Sequence, residues 1–350
     1  MKVNKITKGL AALIAFIAFF VISGFYVNAE ENSAPQFKSY SYKISDTEEI
    51  NYWLFTPANA AENMPLIVYL HGGSGKGDDI NQLVQPPADD SKAAGFCYWT
   101  KEGKFNDVPA YIVFPQLSSD YKAWADAKET VRALIEHIVN TQKIDKTRIS
   151  LTGHSMGGTG TLSIAAEYPR LFSCIAPMSG SVPKITQDKV DAIASLPTWA
   201  FIGSEDKIVK PENSMEIINT VKEYGGEVNV TVIDGADHFS VPYAYLDDNV
   251  NVVNWLIGHK KENKAIGESD GSAVIRVQQP DNLGDTSNIV ISAYDDEGRL
   301  FDCTSISKQL DYGLNKIVLP EIFNSYKNVK IMIWNSTNDV SPEGTVYIRQ

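Results

Sequence analysis

The sequence predicts an α/β domain built on a mostly parallel sheet, followed by a small all-β module. From Pro65 to about Gly258, short apolar runs rich in β-formers alternate with longer helical patterns, as parallel strands covered by helices do. Beyond Gly258 the helical patterns stop, and strand-like runs follow one another between turn signals such as Asp-Asp-Glu-Gly and Ser-Pro-Glu-Gly. A chain of 350 residues with 43% in the hydrophobic class can fill the cores of one large domain or two ordinary ones.

Taken in order, residues 1–29 read as a secretory signal. Lys2, Lys5 and Lys8 precede an apolar run over residues 10–22, and Val27-Asn28-Ala29 offers the small residues of a cleavage site. The alternative, an uncleaved anchor, is disfavoured because the run is shorter than the ~20 residues that span a bilayer. The mature protein is expected outside the cell, secreted or associated with the cell surface, with no stable membrane insertion. Removing residues 1–29 takes away three lysines and no acid, and moves the formal charge from −12 to −15. Such a balance lacks the basic excess that phosphate-backbone binding needs, so nucleic acid is not an expected partner. Cys97, Cys174 and Cys303 are too few for a disulfide-built scaffold; Cys97 and Cys174 are read as buried thiols, with a Cys97–Cys174 bridge as the alternative.

Residues 30–258 form the expected α/β domain. Runs at 37–44 and 50–55 suit an antiparallel pair, and runs at 66–70, 110–114, 148–152, 174–178, 198–203 and 228–233 suit sheet strands. Helical patterns cover 124–141, 157–168, 211–224 and 249–257; Pro211 followed by Glu212 marks one start and Gly225-Gly226 its end. Residues 259–272, rich in Lys, Glu, Gly and Ser, read as a linker. Runs at 273–277, 288–294, 316–319, 329–334 and 345–348 then predict a β-sandwich module over 273–350.

The chemistry falls at strand ends. Gly153-His154-Ser155-Met156-Gly157 follows the strand at 148–152 and opens a helix, the context in which G-x-S-x-G exposes a serine on a strained turn. A serine hydroxyl needs a base to take its proton and an acid to orient that base. The chain has five histidines. His71, His137 and His154 do not follow the serine, and His259 lies beyond the last core helix, which leaves His238, just past the strand at 228–233. Asp206, after the strand at 198–203, is the preferred acid, with Glu205, Asp234 and Asp237 as alternatives. The oxyanion donors are assigned to the backbone N–H groups of Met156 and of Gly73, with Ser74 as the alternative, because Leu70-His71-Gly72-Gly73-Ser74-Gly75 leaves its strand with the required glycine density. His71 is read as a structural hydrogen-bonding residue. A phosphate loop is excluded, since Gly75-Lys76-Gly77 lacks a Ser or Thr after the lysine. No cofactor or metal is indicated: Asp78-Asp79, Asp89-Asp90 and Asp247-Asp248 lack the alternation of a calcium loop, and no histidine pair has zinc spacing.

His71-Gly72-Gly73, Gly153-His154-Ser155-Met156-Gly157-Gly158, Asp206 ahead of Ile208-Val209, and Asp237-His238 together resemble the α/β-hydrolases of the serine-esterase and prolyl-oligopeptidase-like type, over about residues 36–258. Within that superfamily the chain is similar to small secreted feruloyl and acetyl-xylan esterases, which act on plant polysaccharides, and to relatives described as predicted peptidases. Phe114-Pro115-Gln116 followed by Trp124 matches their pocket-lining strand end. The resemblance implies an α/β-hydrolase fold and acyl-enzyme chemistry on Ser155. The C-terminal segment looks like accessory modules of exported clostridial-type proteins.

The 51 residues from Ser155 to Asp206 and the 32 from Asp206 to His238 leave no room for a lid domain. An open site on an acidic exported protein suits a bulky polar ester, on a polysaccharide or a small molecule, and gives a polysaccharide acyl esterase as the expected function. A prolyl-oligopeptidase-like serine peptidase is the runner-up: residues 30–64 are too few for the propeller of those enzymes, and an alkoxide leaves more easily than an amine. A third reading is an inactive cell-surface binding protein. The module could contact carbohydrate through Trp334, Tyr294 or Tyr312, against a core role for the tryptophan.

Overall fold

The computed structural model describes residues 34–86, 95–182, 184–269, 271–283, 286–335 and 347–349. The leader expected over residues 1–29, and Asp89-Asp90, lie outside them. Among the described residues no helix is long and apolar enough to cross a membrane.

Strands β1 (Gln36–Lys43) and β2 (Glu49–Thr56) form the expected antiparallel pair, with Phe37 opposite Phe55 and Tyr40 opposite Tyr52. With β3 (Met64–Leu70), β4 (Tyr111–Pro115), β5 (Ile144–His154), β6 (Cys174–Met178), β7 (Thr198–Gly203) and β8 (Val228–Ile233) they make an eight-stranded sheet in the order β1-β2-β4-β3-β5-β6-β7-β8. Strand β4 joins β2 antiparallel, and every pairing from β4 to β8 is parallel.

Both faces of the sheet are covered, which explains why β3 is apolar throughout instead of alternating. Leu66, Val68 and Leu70 enter one core, where helices α2 (Lys128–Thr141), α3 (Met156–Glu167), α4 (Gln187–Ala194) and α5 (Pro211–Glu223) pack. Ile67 and Tyr69 enter the other, beneath α1 (Phe96–Lys101) and α6 (Val252–Gly258). The described segments joining β6 to β7 and β7 to β8 hold one helix each, so no inserted subdomain rises over that end of the sheet.

Two helix starts differ from the sequence reading. Helix α2 begins at Lys128, not at 124, because the indole of Trp124 is drawn under β3, where its Nε1 donates to His71 O at 3.0 Å. Helix α6 begins at Val252, not at 249: Asn251 is left-handed at φ 54°, and Asp247 accepts from the Asn249 amide, making a turn of the preceding residues.

The C-terminal part is a two-sheet sandwich. One sheet has the order β13-β10-β9 and the other β12-β11-β14-β15, from β9 (Asn263–Ser269), β10 (Ser272–Val277), β11 (Ser287–Tyr294), β12 (Leu300–Lys308), β13 (Gly313–Val318), β14 (Asn328–Asn335) and β15 (Tyr347–Arg349). Ile275, Val277, Ile289, Ile291, Ile331 and Ile333 meet between them. The linker expected over 259–272 is therefore corrected: half of it, residues 263–269, is β9. Its polar composition belongs to an edge strand, which pairs only with β10 and tolerates charge on its open side.

The sandwich is docked against the amino edge of the large sheet. Lys261 N donates to Thr147 O at 2.8 Å and Gln278 Nε2 to Ser173 O at 3.3 Å. Arg276, 1% exposed, pairs with Glu227 at 2.5 Å and Glu262 at 3.3 Å. Thr147 lies early in β5, Ser173 precedes β6 and Glu227 precedes β8, whereas the residues singled out for chemistry follow these strands.

Candidate active site

Ser155 occupies the junction of β5 and α3 at φ 59°, ψ −119°. This conformation costs a residue bearing a Cβ about 1–3 kcal/mol and persists only where neighbours impose it. They do so here by close approach. A Cβ on Gly153 would lie 2.5 Å from Leu70 O, and one on Gly157 only 1.9 Å from the same atom. The Ser155 amide donates to Met178 O at 2.9 Å, tying the turn to β6.

The structure brings Ser155, Asp206 and His238 together at the carboxyl edge. The Ser155 hydroxyl donates to His238 Nε2 at 2.8 Å, and His238 Nδ1 donates to Asp206 Oδ2 at 2.7 Å. Asp206 is buried, and its other oxygen accepts from the amides of Ile208 and Val209, each at 2.9 Å. The other acids weighed for this place are elsewhere. Glu205 and Asp234 are exposed, and Asp237 points into its own turn, accepting from Phe239 N, Ser240 N and Ser240 Oγ.

Of the two oxyanion candidates, Met156 is the first residue of α3, so its amide has no intrahelical acceptor. Gly73 opens a single 3₁₀ turn, and a Cβ on the preceding Gly72 would lie 3.5 Å from Ser155 Cβ, so this loop runs alongside the serine. His71 acts structurally: Leu117 N donates to its Nε2 at 3.0 Å, which leaves Nδ1–H to donate to Gly72 O at 2.6 Å. Burial pushes its pKa down to about 4, so it stays neutral.

Phe114, Gln116 and Trp124 do not line the pocket, contrary to the expectation for that strand end. They are buried supports: Gln116 Nε2 donates to Gly75 O at 3.1 Å and Asp79 O at 2.8 Å, bracing the glycine loop from below. The cavity over Ser155, about 450 Å³, is lined among the described residues by the loop from His71 to Gly75, by Gln82, Gln85, Gly95, His154 and His238, and by the apolar Tyr69, Leu83, Pro86, Cys97, Ile208, Phe239 and Pro242, besides the serine itself. Sequence reasoning missed this apolar wall, because its residues come from five separate segments with no shared spacing.

The three cysteines are free, with Cys97 and Cys174 buried and Cys303 exposed. Among the module's aromatics, Tyr312 lies under Arg170 of the large domain at 4.5 Å, and Lys330 lies over Tyr294 at 4.4 Å. Trp334 is half-buried. Among the described residues no cluster of three His, Cys, Asp or Glu side chains is placed to hold a metal.

Residues 116–263 match the family described as PETase, PET hydrolase-like. A provisionally named carboxymethylenebutenolidase of Aquifex aeolicus is 26% identical over 107 residues, 31% of this chain and 46% of the relative. The poly(3-hydroxyalkanoate) depolymerase C of Paucimonas lemoignei is 23% identical over 211 residues, 49% of this chain and 47% of that protein. The chain thus spans about half the length of these curated relatives. Among solved structures, a thermostable esterase superposes with a TM-score of 0.55 at 27% identity, covering 64% of this chain and 63% of its own. Sheet order, nucleophile turn and these likenesses agree: the chain is an α/β-hydrolase by fold, similar over residues 116–263 to the PET hydrolase-like family.

Proposed function

We propose that the protein hydrolyses carboxylic esters outside the cell through a covalent acyl-enzyme on Ser155. The observation that carries this is the buried relay of Ser155, His238 and Asp206, with its two hydrogen bonds of 2.8 and 2.7 Å. His238 Nε2 takes the proton as Ser155 Oγ attacks the ester carbonyl, and Asp206 steadies the imidazolium. The oxyanion is met by the N–H groups of Gly73 and Met156. Collapse of the tetrahedral intermediate expels the alcohol, which receives the proton from His238. Water then attacks the acyl-enzyme by the same route.

The favoured substrate is an acyl group carried on a plant polysaccharide, feruloyl or acetyl. A cavity of about 450 Å³ whose apolar wall includes Tyr69, Leu83 and Pro242 suits a bulky uncharged acyl chain. The PET hydrolase-like match and the depolymerase relative favour a second reading, in which the ester lies within a polyester chain.

Hydrolysis of p-nitrophenyl acetate by the parent and by Ser155→Ala tests the chemistry. Loss of turnover in the variant is expected, and equal background rates in both would overturn the esterase reading. Release of ferulate or acetate from arabinoxylan fragments, set against hydroxyacid release from polyester films and cleavage of Pro- and Ala-linked chromogenic amides, ranks the substrates. Preference for the films selects the second reading, and preference for the amides overturns both.

A further inference from the structure

His154 stands inside the nucleophile turn, lines the cavity beside Ser155 and is 7% exposed. Its Nε2 lies 2.8 Å from the main-chain carbonyl oxygen of His238. A carbonyl can only accept, so Nε2 carries the proton and donates. The two imidazole rings are 4.7 Å apart, tilted by 44°.

We infer that His154 is the positioning residue for the catalytic base: residues 154 and 155, neighbours on one turn, grip the backbone and the ring of the same histidine. The inference rests on reading Ser155 as the nucleophile. It follows from how the loop of His238 is held. Ala236 O is fixed by Glu205 N at 3.0 Å, and beyond it Asp237 turns inward on Phe239 and Ser240, all exposed or half-exposed residues. A ring on such a loop must keep two hydrogen bonds aligned, one at each nitrogen, and displacement of about 1 Å can cost 10²-fold in rate. The His154 donor ties that backbone to β5, which is paired on both sides by β3 and β6. Nucleophile and base are thereby referred to one rigid strand.

Neutrality is part of the device. Burial, together with the neighbouring His238, holds His154 down to about 3. A cationic His154 would oppose the imidazolium that forms on His238 during each turnover, whereas a neutral donor does not.

The test is a comparison of donors at constant position. His154→Phe keeps a ring without a donor, and His154→Gln keeps an N–H near the place of Nε2. With p-nitrophenyl acetate, His154→Phe is expected to lose about tenfold or more in kcat with KM within about twofold, the cost of one buried hydrogen bond and a misaligned base. His154→Gln is expected to recover to within about threefold, and labelling of Ser155 by a fluorophosphonate is expected to slow in the same ratio. Should the phenylalanine variant not fold, His154→Asn, whose amide falls short of the carbonyl, replaces it against His154→Gln at matched melting temperature. Unchanged kcat without the donor, or an equal loss with Gln, would overturn the inference. Neither outcome touches the esterase reading, which stands or falls on Ser155→Ala.

Discussion

Replacing Gly157 with alanine sets two effects of opposite sign against each other. Gly157 lies in the first turn of α3, where alanine is favoured over glycine by about 1 kcal/mol on helix propensity alone. The added methyl, however, would lie 1.9 Å from Leu70 O, 2.5 Å from Leu70 C and 2.8 Å from His71 O. All three are main-chain atoms. Relief requires the chain there to retreat by roughly 1.5 Å to reach van der Waals distance. It cannot do so independently, because β3 lies between β4 and β5 and Leu70 is in register with Gly153. Overpacking of this kind costs about 1–3 kcal/mol where side chains can yield, and more where they cannot. The clash therefore wins by at least about 2 kcal/mol, which for a domain of this size lowers Tm by about 4–8 °C.

The assay is thermal unfolding followed by circular dichroism, with ester hydrolysis measured alongside. Activity should fall with stability, since the strained atoms lead directly into the glycine loop beside Ser155. Gly258→Ala is the internal control: it closes α6, and a Cβ there meets nothing within 4 Å, so its Tm should stay within about 2 °C of the parent. If Gly157→Ala melts with the parent and keeps full turnover, close backbone approach is not what demands glycine at this turn.

Three other outcomes follow from the same geometry. Asp206→Asn should leave KM nearly unchanged and reduce kcat by about 10³–10⁴, because the amide no longer holds the His238 tautomer; a loss under tenfold in steady-state kinetics would remove Asp206 from the relay. His71 and His154 are held near 4 and near 3 by burial, against about 6.5 when unfolded, so the unfolded chain binds more protons and stability falls as pH drops from about 6.5. Each histidine should subtract about 2 kcal/mol at pH 5 relative to pH 8, and His154→Gln should flatten the pH dependence of Tm; an unchanged slope would refute the assignment. Arg276→Ala should destabilise the fold in unfolding experiments by about 1–3 kcal/mol and leave kcat intact, since it removes a buried guanidinium with its charged hydrogen bonds and leaves Glu227 and Glu262 only Lys264, 3.9 Å from each, at the edge opposite Ser155; a change in kcat at full folding would show that the two edges communicate.

The parts of this molecule that could be read from sequence are those where one local rule suffices. Ser155, Asp206 and His238 each follow a strand, and strand ends are legible from apolar runs and the turn residues behind them. The inner strands β3, β4, β6 and β7 are buried on both faces, so their apolar runs are unbroken and conspicuous. Two edge strands of the sandwich are not. Strand β9 hid behind Lys264 and Glu268, and β12 behind its Ser and Thr residues, because a strand with one open side needs no more than a weak alternation. The supports of the site were equally hidden: Gln116 reaches Gly75 and Asp79, 41 and 37 residues away, and His154 reaches a carbonyl 84 residues away. No spacing in the chain encodes such contacts, since each partner is set by the order in which the strands are laid down.

The position of the C-terminal sandwich bears on how a polymer would be handled. Its contacts fall on Thr147, Ser173 and Glu227, at the amino edge, and Thr147 stands eight residues before Ser155 along β5, a separation of up to about 26 Å. Tyr312, an aromatic that a sugar ring could stack on, is already covered by Arg170. A sandwich fixed in this place cannot hand a bound strand to the serine by swinging on a tether. Its burial of Arg276 and its backbone bonds to β5 and to the residue before β6 make it a buttress for the parallel strands. On the proposed reading of a polymeric ester, grip would fall to the carboxyl edge itself, where Ile208 and Phe239 stand exposed and line the cavity.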